Sequence, residues 1–469
     1  SNINYKYGDK YLLTSIVRTD AHSSFGANNR WGWFYGLQAG WRFTNEQWFN
    51  SIPWLGESMF RFSYGVSGRQ PEDVYARFAT YESTSTGAYI LDPAIAPTRL
   101  QLNNLRWETI ASWNIGAEFS LFKDRLYLEG DIYEKVSTDL LFDRYDIPLT
   151  SGYNQLRYLN GGEMTNNGWE LMADLKAFRN ENWLVSFNLN VSQNINSFSK
   201  LPENFNTERS TSIGNGQYPL RVVEGEPIGS FFGFRYLGVY PSDEDVIARD
   251  AEGNTLYDSE GKVIPIRYTD SYVFKGGDPI YQDINYDGQI DINDVVYIGD
   301  SNPSFIGGFG SNIKYKNWDF SMSFHYRLGF DIINGIAIQT QAMNNRDNQS
   351  KAVLNRWRVQ GQKEEGLLPR AYMNHPANNL GSDRYVEKGD YMRLNNIKIG
   401  YMLSNEMCRK LGVRKANLAI SARKLYTWTG YTGQDPEIGQ NASNPFWIGV
   451  DNARTPPPKI ITFSIGVGF

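Results

Sequence analysis

The chain has 469 residues, a net charge of −5 and one cysteine, Cys408, which excludes a disulfide framework within it and a thiolate metal cluster. Aromatic residues make up 15%, with 30 Tyr, 26 Phe and 44 Gly, a composition that leans to all-β structure. No basic stripe or lysine-rich run points to nucleic acid, because arginines such as Arg18, Arg61 and Arg125 stand singly.

The opening SNINYKYGDKYLL reads as alternating strand rather than as a secretion signal, and predicts strands over 1–6 and 10–18. WGWFYGLQAGWRF follows at 31–43. Trp31, Trp33, Tyr35, Leu37, Ala39, Trp41 and Phe43 take one parity, and Gly32, Phe34, Gly36, Gln38, Gly40 and Arg42 the other. The same pattern returns at 58–68, with Phe60, Phe62, Tyr64 and Val66 against Arg61, Ser63, Gly65 and Ser67. It returns again at 113–122, where Trp113, Ile115, Ala117, Phe119 and Leu121 oppose Asn114, Gly116, Glu118 and Ser120.

Strands at 126–136 and 168–178 precede NWLVSFNLNVSQN (182–194), which sets Trp183, Val185, Phe187, Leu189 and Val191 against Ser186, Asn188, Asn190 and Ser192. A dry core would leave that polar parity unsatisfied, so water must touch it. FIGGFGSNIKY and WDFSMSFHYRL form a hairpin around Lys316-Asn317, and strands at 391–402 and 416–425 lead to the closing KIITFSIGVGF. In that last stretch Ile461, Phe463, Ile465, Val467 and Phe469 share one face.

A strand with rings on one side and Gly, Ser, Asn and charges on the other separates two solvents. No run of eighteen apolar residues makes a spanning helix, but a barrel crosses lipid with strands of about this length. The reading is therefore an all-β transmembrane antiparallel barrel, with aromatics towards lipid, Trp31 and Trp41 near the interfaces, and a wet interior.

Short connections at Gly8-Asp9, 123–125, 179–182 and Lys316-Asn317, with intermediate ones at 44–57 and 403–415, alternate with long ones at 19–30, 68–106, 137–167, 196–304, 329–389 and 427–458. Outer-membrane barrels keep short turns on the periplasmic side and long loops outside, which places the C-terminus in the periplasm. The alternation requires 196–304 to be a single large extracellular excursion, with room for hairpins of its own such as FFGFRYLGVY (231–240). About thirteen strands result. An odd number does not close a bacterial single-chain barrel, so the chain is expected to be part of a longer one.

The sharpest local motif is DINYDGQIDIND, 283–294. Asp283, Asn285, Asp287, Asp291 and Asp294 sit at positions 1, 3, 5, 9 and 12 of a calcium-loop spacing, with Gly288 at the sharp turn and the Gln289 carbonyl at 7. Calcium takes six to eight oxygens, which suits this loop, although Asp294 replaces the bidentate Glu and shortens its reach. The competing reading is an Asx-rich turn that solvates itself.

Catalysis has little support, since His22, His325 and His375 are the only histidines and no Walker loop, dinucleotide fingerprint or HExxH helix appears. His325 shares a face with Asp319 and Arg327, a pattern read as a hydrogen-bonded histidine of the wet interior. Trp428, Tyr431, Phe446 and Trp447, with Asn344, Asn345, Asn348, Asn378 and Asn379, could stack on and hydrogen-bond a sugar or peptide; packing of loop on loop is the plainer account.

YLLTSIVRTDAHSSFGANNRWGWFYGLQAGWRF, GEMTNNGWEL, GEPIGSFFGFRYLGVY, DINYDGQIDINDVVYIGDSNPSFIGGFG, GDYMRLNNIKIGYML and KLYTWTGYTGQDPEI, in this order, resemble the landmarks of the SusC-like (SusC/RagA type) TonB-dependent transporters of Bacteroidetes outer membranes. The resemblance implies a 22-stranded barrel whose N-terminal plug and first strands, about nine, have no counterpart here, so that residues 1–469 form its C-terminal portion. It implies TonB-dependent import of an oligomeric nutrient, glycan or peptide, with a SusD-like surface lipoprotein over the outer mouth and TonB acting through the N-terminal region. No enzyme activity follows from it, and no substrate contact can be transferred residue by residue. Two other classes compete: a soluble all-β carbohydrate-binding module, whose strands are shorter and whose outer parity is charged, and an outer-membrane barrel enzyme built on His325.

Overall fold

The computed structural model describes residues 1–49, 52–89, 92–142, 145–146, 149–151, 153, 155–156, 158–203, 205, 207–437 and 448–469. Within them lies one antiparallel sheet of thirteen strands, each beside its chain neighbours. The strands are β1 (Asn2–Tyr7), β2 (Tyr11–Ala21), β3 (Trp31–Trp41), β4 (Leu55–Arg69), β5 (Glu108–Leu121), β6 (Leu126–Phe142), β7 (Leu159–Arg179), β8 (Trp183–Lys200), β9 (Phe305–Tyr315), β10 (Trp318–Leu328), β11 (Tyr391–Met402), β12 (Lys415–Thr429) and β13 (Ile460–Gly468). These are the thirteen segments expected from alternation, lengthened mostly towards the long connections. The sheet does not close on itself, since β1 pairs only with β2 and β13 only with β12.

Register keeps the two parities apart across the whole sheet. Leu37, Tyr64 and Trp113 lie opposite one another on successive strands, as do Gln38, Ser63 and Asn114 on the other face. Trp31, Tyr35, Phe187 and Phe463 are 70%, 52%, 44% and 78% exposed, so these rings are not packed in a globular interior. A soluble sheet would bury such a face.

Aromatic pairs mark the lower edge of the apolar face, Trp183 on Tyr315 at 4.3 Å and Trp318 on Tyr401 at 4.7 Å. At the upper edge indoles turn their N–H onto polar neighbours on the same face: Trp113 to Glu134 at 2.8 Å and Trp169 to Gln193 at 2.9 Å. Trp and Tyr prefer such positions because one end of the ring is apolar and the other wet. From Trp183 to Gln193 along β8 the rise is roughly 25 Å at ~3.4 Å per residue and a tilt near 45°, the height of an outer-membrane apolar band.

Short connections are tight. At the β1–β2 turn three residues, Gly8 to Lys10, join the paired Tyr7 and Tyr11; Gly8 and Asp9 both have positive φ, 56° and 54°, and the Lys10 amide closes the turn on the Tyr7 carbonyl at 3.0 Å. The intermediate links hold short helical turns, Phe43–Asn45 and Gln47–Phe49 in one and Asn405–Lys410 in the other. Cys408 is buried on that last helix.

The long connections build a body beyond the sheet. The excursion after β8 begins at 201, not 196, because β8 continues to Lys200. FFGFRYLGVY is not a hairpin: Ser230–Gly233 pairs with Val296–Asp300, and Tyr236–Val239 pairs with Pro279–Tyr281. Burial overrides local proximity here. Phe232, Phe234, Tyr240 and Tyr281 join one apolar core with Ala377 and Leu380, which come from the 329–390 connection. A second core joins Tyr218 and Phe231 to Ile333, Ile338 and Tyr385. The two longest excursions therefore fold as one unit.

Candidate functional site

Three arrangements of charged residues are relevant to function. The first lies on the polar face of β4–β6. Arg61 reaches Glu118 at 3.0 Å, Glu129 at 2.7 Å and Asp131 at 3.1 Å, and Tyr127 donates to Glu129 at 3.2 Å. Gly116 makes room for it: a Cβ there would stand 2.4 Å from Asp131 Oδ1 and 3.0 Å from Arg61 Nη2. One guanidinium among three carboxylates leaves this wall negative. The polar face of β10–β12 carries Arg327, Arg393, Lys398 and Arg423 with Asp319, so bases outnumber acids on these strands.

The second arrangement joins the two excursions. Asp278, wholly buried, accepts from Arg370 Nε at 2.7 Å, Tyr272 Oη at 2.8 Å and the Lys275 amide at 2.8 Å. The Ala377 amide donates to His375 Nδ1, which leaves the His375 Nε2 proton for Asp278 at 3.0 Å. Burial alone would push the Asp278 carboxyl up, but His375, Arg370 and Tyr272 together hold it below the ordinary carboxylate value. His375 is thus a locked hydrogen-bonding group.

The third is a clamp on the 430–437 segment. Arg393, on the polar face of β11, donates to Thr427 at 2.9 Å, Glu437 at 2.5 Å and Asp435 at 2.5 Å. Tyr431 donates to the buried Asp451 at 2.7 Å, and Glu387 accepts from the amide and hydroxyl of Thr432 at 2.8 Å each. Sequence reasoning did not single out Arg393, Asp278 or Arg370. The hints were that Arg393 stands in the GDYMRLNNIKIGYML landmark and Asp435 and Glu437 in KLYTWTGYTGQDPEI.

The 283–294 loop turns its side chains onto its own amides. Asp283 accepts from Gly288, Asp287 from Gln289, and Asp291 from Asn293, all at 2.7–2.8 Å. Asp294, fully buried, accepts from Ile284 at 2.7 Å and from Asp291 at 2.9 Å. Among the described residues no three His, Cys, Asp or Glu side chains converge as a ready metal cage. Two features remain unexplained by self-solvation. Asp283 Oδ1 is buried without a hydrogen-bond partner, and burial pushes the Asp294 carboxyl up to about 6, with Asp283 also raised by burial.

Of the other residues singled out, Trp428 lies on β12 and contacts Phe324 rather than standing in a loop. Asn378 and Asn379 are buried and bond the backbone of Ala342 and Ile338, while Asn344 donates to Asn379, so packing of loop on loop accounts for them. Phe446 and Trp447 lie outside the described residues. His325 is on the polar face of β10, with Nδ1 3.5 Å from Tyr391 Oη.

Residues 2–334 match the model of the TonB dependent receptor-like, beta-barrel family. The chain belongs to that family. It is 31% identical over its whole length to TonB-dependent receptor P39 of Formosa agariphila, of which it spans 46%. It is 24% identical over 99% of its length to TonB-dependent receptor SusC of Bacteroides thetaiotaomicron, spanning 42% of that protein. The RagAB peptide transporter superposes with a TM-score of 0.76 over 99% of this chain and 47% of that one, at 22% identity, a likeness of fold. The chain thus spans less than half the length of these relatives.

As part of a TonB-dependent receptor barrel of SusC-like type, the sheet is outer-membrane wall. Its ring-bearing face meets lipid and its polar face meets the lumen. A soluble carbohydrate-binding module is set aside by the same finding, and the relatives are receptors rather than enzymes.

Proposed function

We propose that the complete protein imports an oligomeric nutrient, glycan or peptide, across the bacterial outer membrane, driven by TonB acting on its N-terminal region. In this reading the body built from the long connections is extracellular, the C-terminus is periplasmic, and a SusD-like lipoprotein covers the outer mouth. The observation that carries it is the two-faced wall: a continuous lumen surface of Asn188, Asn190, Ser192, Ser321, Ser323 and Lys398, backed by a lipid surface of rings. Such a wall suits a hydrated cargo that presents many hydrogen-bonding groups. The energy for release comes from TonB, and no catalytic step is required. The test is deletion of the gene, followed by growth on defined peptide and oligosaccharide sources. Unimpaired growth and uptake on every one overturns the reading.

Calcium belongs to the same proposal. The 283–294 loop fits a hard cation by donor type, and the unpartnered Asp283 Oδ1 supports that fit. Asp283, Asn285, Asp287, the Gln289 carbonyl, Asp291 and Asp294 would hold the ion once Asp287 and Asp291 turn from their amides. The ion would supply charge compensation that fixes the loop. Calorimetric titration with calcium after chelation tests this, and an absence of heat in the intact protein, unchanged in an Asp283→Asn/Asp287→Asn variant, removes it.

A further inference from the structure

Strands β3 and β4 pair from Trp41 and Phe60 up to Gly36 and Gly65, and no further. Beyond that point Trp31–Tyr35 pairs only with β2, and Val66–Arg69 only with β5. Two strand edges therefore face each other across a fork, each turning backbone N–H and C=O groups into it without a ladder partner among the described residues. Paired backbone is the norm in a sheet, and free edges are templates for another strand.

The fork is framed and partly filled. Trp107 donates to the Arg30 carbonyl at 3.2 Å, and its ring meets Phe34 edge-on at 5.4 Å. Gly32 and Gly68 are explained by this, since a Cβ on either would stand 2.6 Å and 2.4 Å from the Phe34 ring. Below the rings lies a cavity of about 670 Å³ bordered by Ile16, Arg18, Phe34, Ser67, Trp107 and Ser112.

Its floor is the pair Gly36 and Gly65, directly opposite each other. Nothing in this chain requires glycine at either position. Neither has a positive φ, and the nearest atoms to an added Cβ are backbone oxygens at 3.7 Å and 4.0 Å, ordinary contact distances. Glycine weakens a strand interior and marks a bulge, a bend or a close approach by a ligand or another backbone; the β3–β4 register runs to this pair without a shift, so a bulge does not account for it.

The geometry points to a trough for an extended peptide on the lumen wall, seated over Gly36 and Gly65 and hydrogen-bonded along the free edges of β3 and β4. This rests on the import reading and narrows its cargo. An extended main chain presents donors and acceptors on both edges at the strand repeat, which an oligosaccharide does not. The cavity lies in the range of small-ligand sites, roughly 300–1,000 Å³. Phe34 and Trp107 supply apolar contact at one end, and the Arg18–Asp20 pair, 2.8 Å apart, lines the other side.

The test uses the full-length transporter with its lipoprotein, purified in detergent, and a tryptic casein digest and a mixture of dextrin oligosaccharides as probes. Peptides from the digest are expected to co-purify and to slow amide exchange in 31–35 and 66–69. Gly36→Val and Gly65→Val, whose side chains suit strands and fill the trough, are expected to reduce peptide retention by about tenfold, the effect of losing one to two hydrogen bonds. The lipid-facing Ser15→Val serves as control. Exchange in the wild-type protein needs no variant, so a misfolded variant does not spare the proposal. Peptide retained without protection of 31–35 and 66–69, or equally by both glycine variants, overturns the trough and leaves import standing. Protection by dextrins and not by the digest overturns the peptide assignment. Loss of import itself shows separately, as unaffected growth of the deletion strain.

Discussion

Arg370 donates through Nε to Asp278 Oδ1 at 2.7 Å across 92 residues of sequence, and this contact ties the 329–390 excursion to the 201–304 excursion. Because Asp278 is wholly buried, its removal leaves a guanidinium and an imidazole without their shared acceptor. Asp278→Ala is expected to destabilise the outer body by about 3–5 kcal/mol, more than Tyr272→Phe, which removes no charge but loses the hydrogen bonds to Asp278 and from Arg370, about 1–3 kcal/mol. Limited proteolysis and amide exchange would show faster cleavage and opening within both excursions together, with the barrel strands protected as before. Opening of only one excursion would contradict the shared core.

The lipid and lumen parities of β8 make opposite predictions for neighbouring residues. Phe187→Arg places a charge near the middle of the apolar band and should lower stability by about 2–4 kcal/mol, whereas Asn188→Arg enters the wet lumen and should change it little. Urea titrations of folding into lipid vesicles measure both. Equal effects would remove the two-solvent account of the wall.

Gly116 is needed because Arg61 and Asp131 occupy the space of its missing side chain. Gly116→Val should displace that pair and cost about 1–3 kcal/mol by overpacking. Asp131→Ser in the same background should recover part of the loss, since the two sites share atoms and cannot be additive. The double-mutant cycle reads the coupling directly.

The 283–294 loop gives a pH prediction with a definite sign. Burial raises Asp294 to about 6 from 3.8, so the fold favours the protonated form. Without metal, its contribution to stability is complete below about pH 4 and is lost as pH rises through about 6. Calcium takes the ionised form, so its affinity should be highest above about pH 6 and fall below it, with proton release on binding. Calorimetry in two buffers of different ionisation enthalpy measures the released proton, and a calcium affinity independent of pH would exclude Asp294 as a ligand.

Arg393→Met should free the 430–437 segment by removing three hydrogen bonds, two of them to carboxylates. Amide exchange at Glu437, whose N–H donates to Asp435 at 2.9 Å, is expected to accelerate by tenfold or more, since charge-assisted bonds contribute about 1.5–3 kcal/mol each. Exchange unchanged from the wild type would mean that Tyr431 and Thr432 hold the segment alone.

The wall was legible from one dimension because side-chain direction in a strand alternates with a period of two, and two solvents print that period on the residues. Trp31, Trp33 and Tyr35 are read as outward from spacing alone, and thirteen strands follow from repetition. FFGFRYLGVY misled for a related reason. Its apolar residues suit a hairpin, yet Phe232 and Phe234 gain more by burial against Ala377 and Leu380, which sequence distance conceals. Trp428 was placed in a loop because the strand outlasts its clean alternation, a register shift falling between Leu394 and Asn396 of β11 opposite it.

Sequence by itself determined the two faces, the strand number and the alternation of short and long connections, since each depends on contacts between residues close in the chain. Only the tertiary structure decided that Asp278 meets Arg370 and His375, that Arg393 holds Asp435 and Glu437, and that β3 and β4 part above Gly36 and Gly65. Those outcomes depend on which distant segments share a burial site and which backbone edges go unpaired, and no local periodicity encodes either.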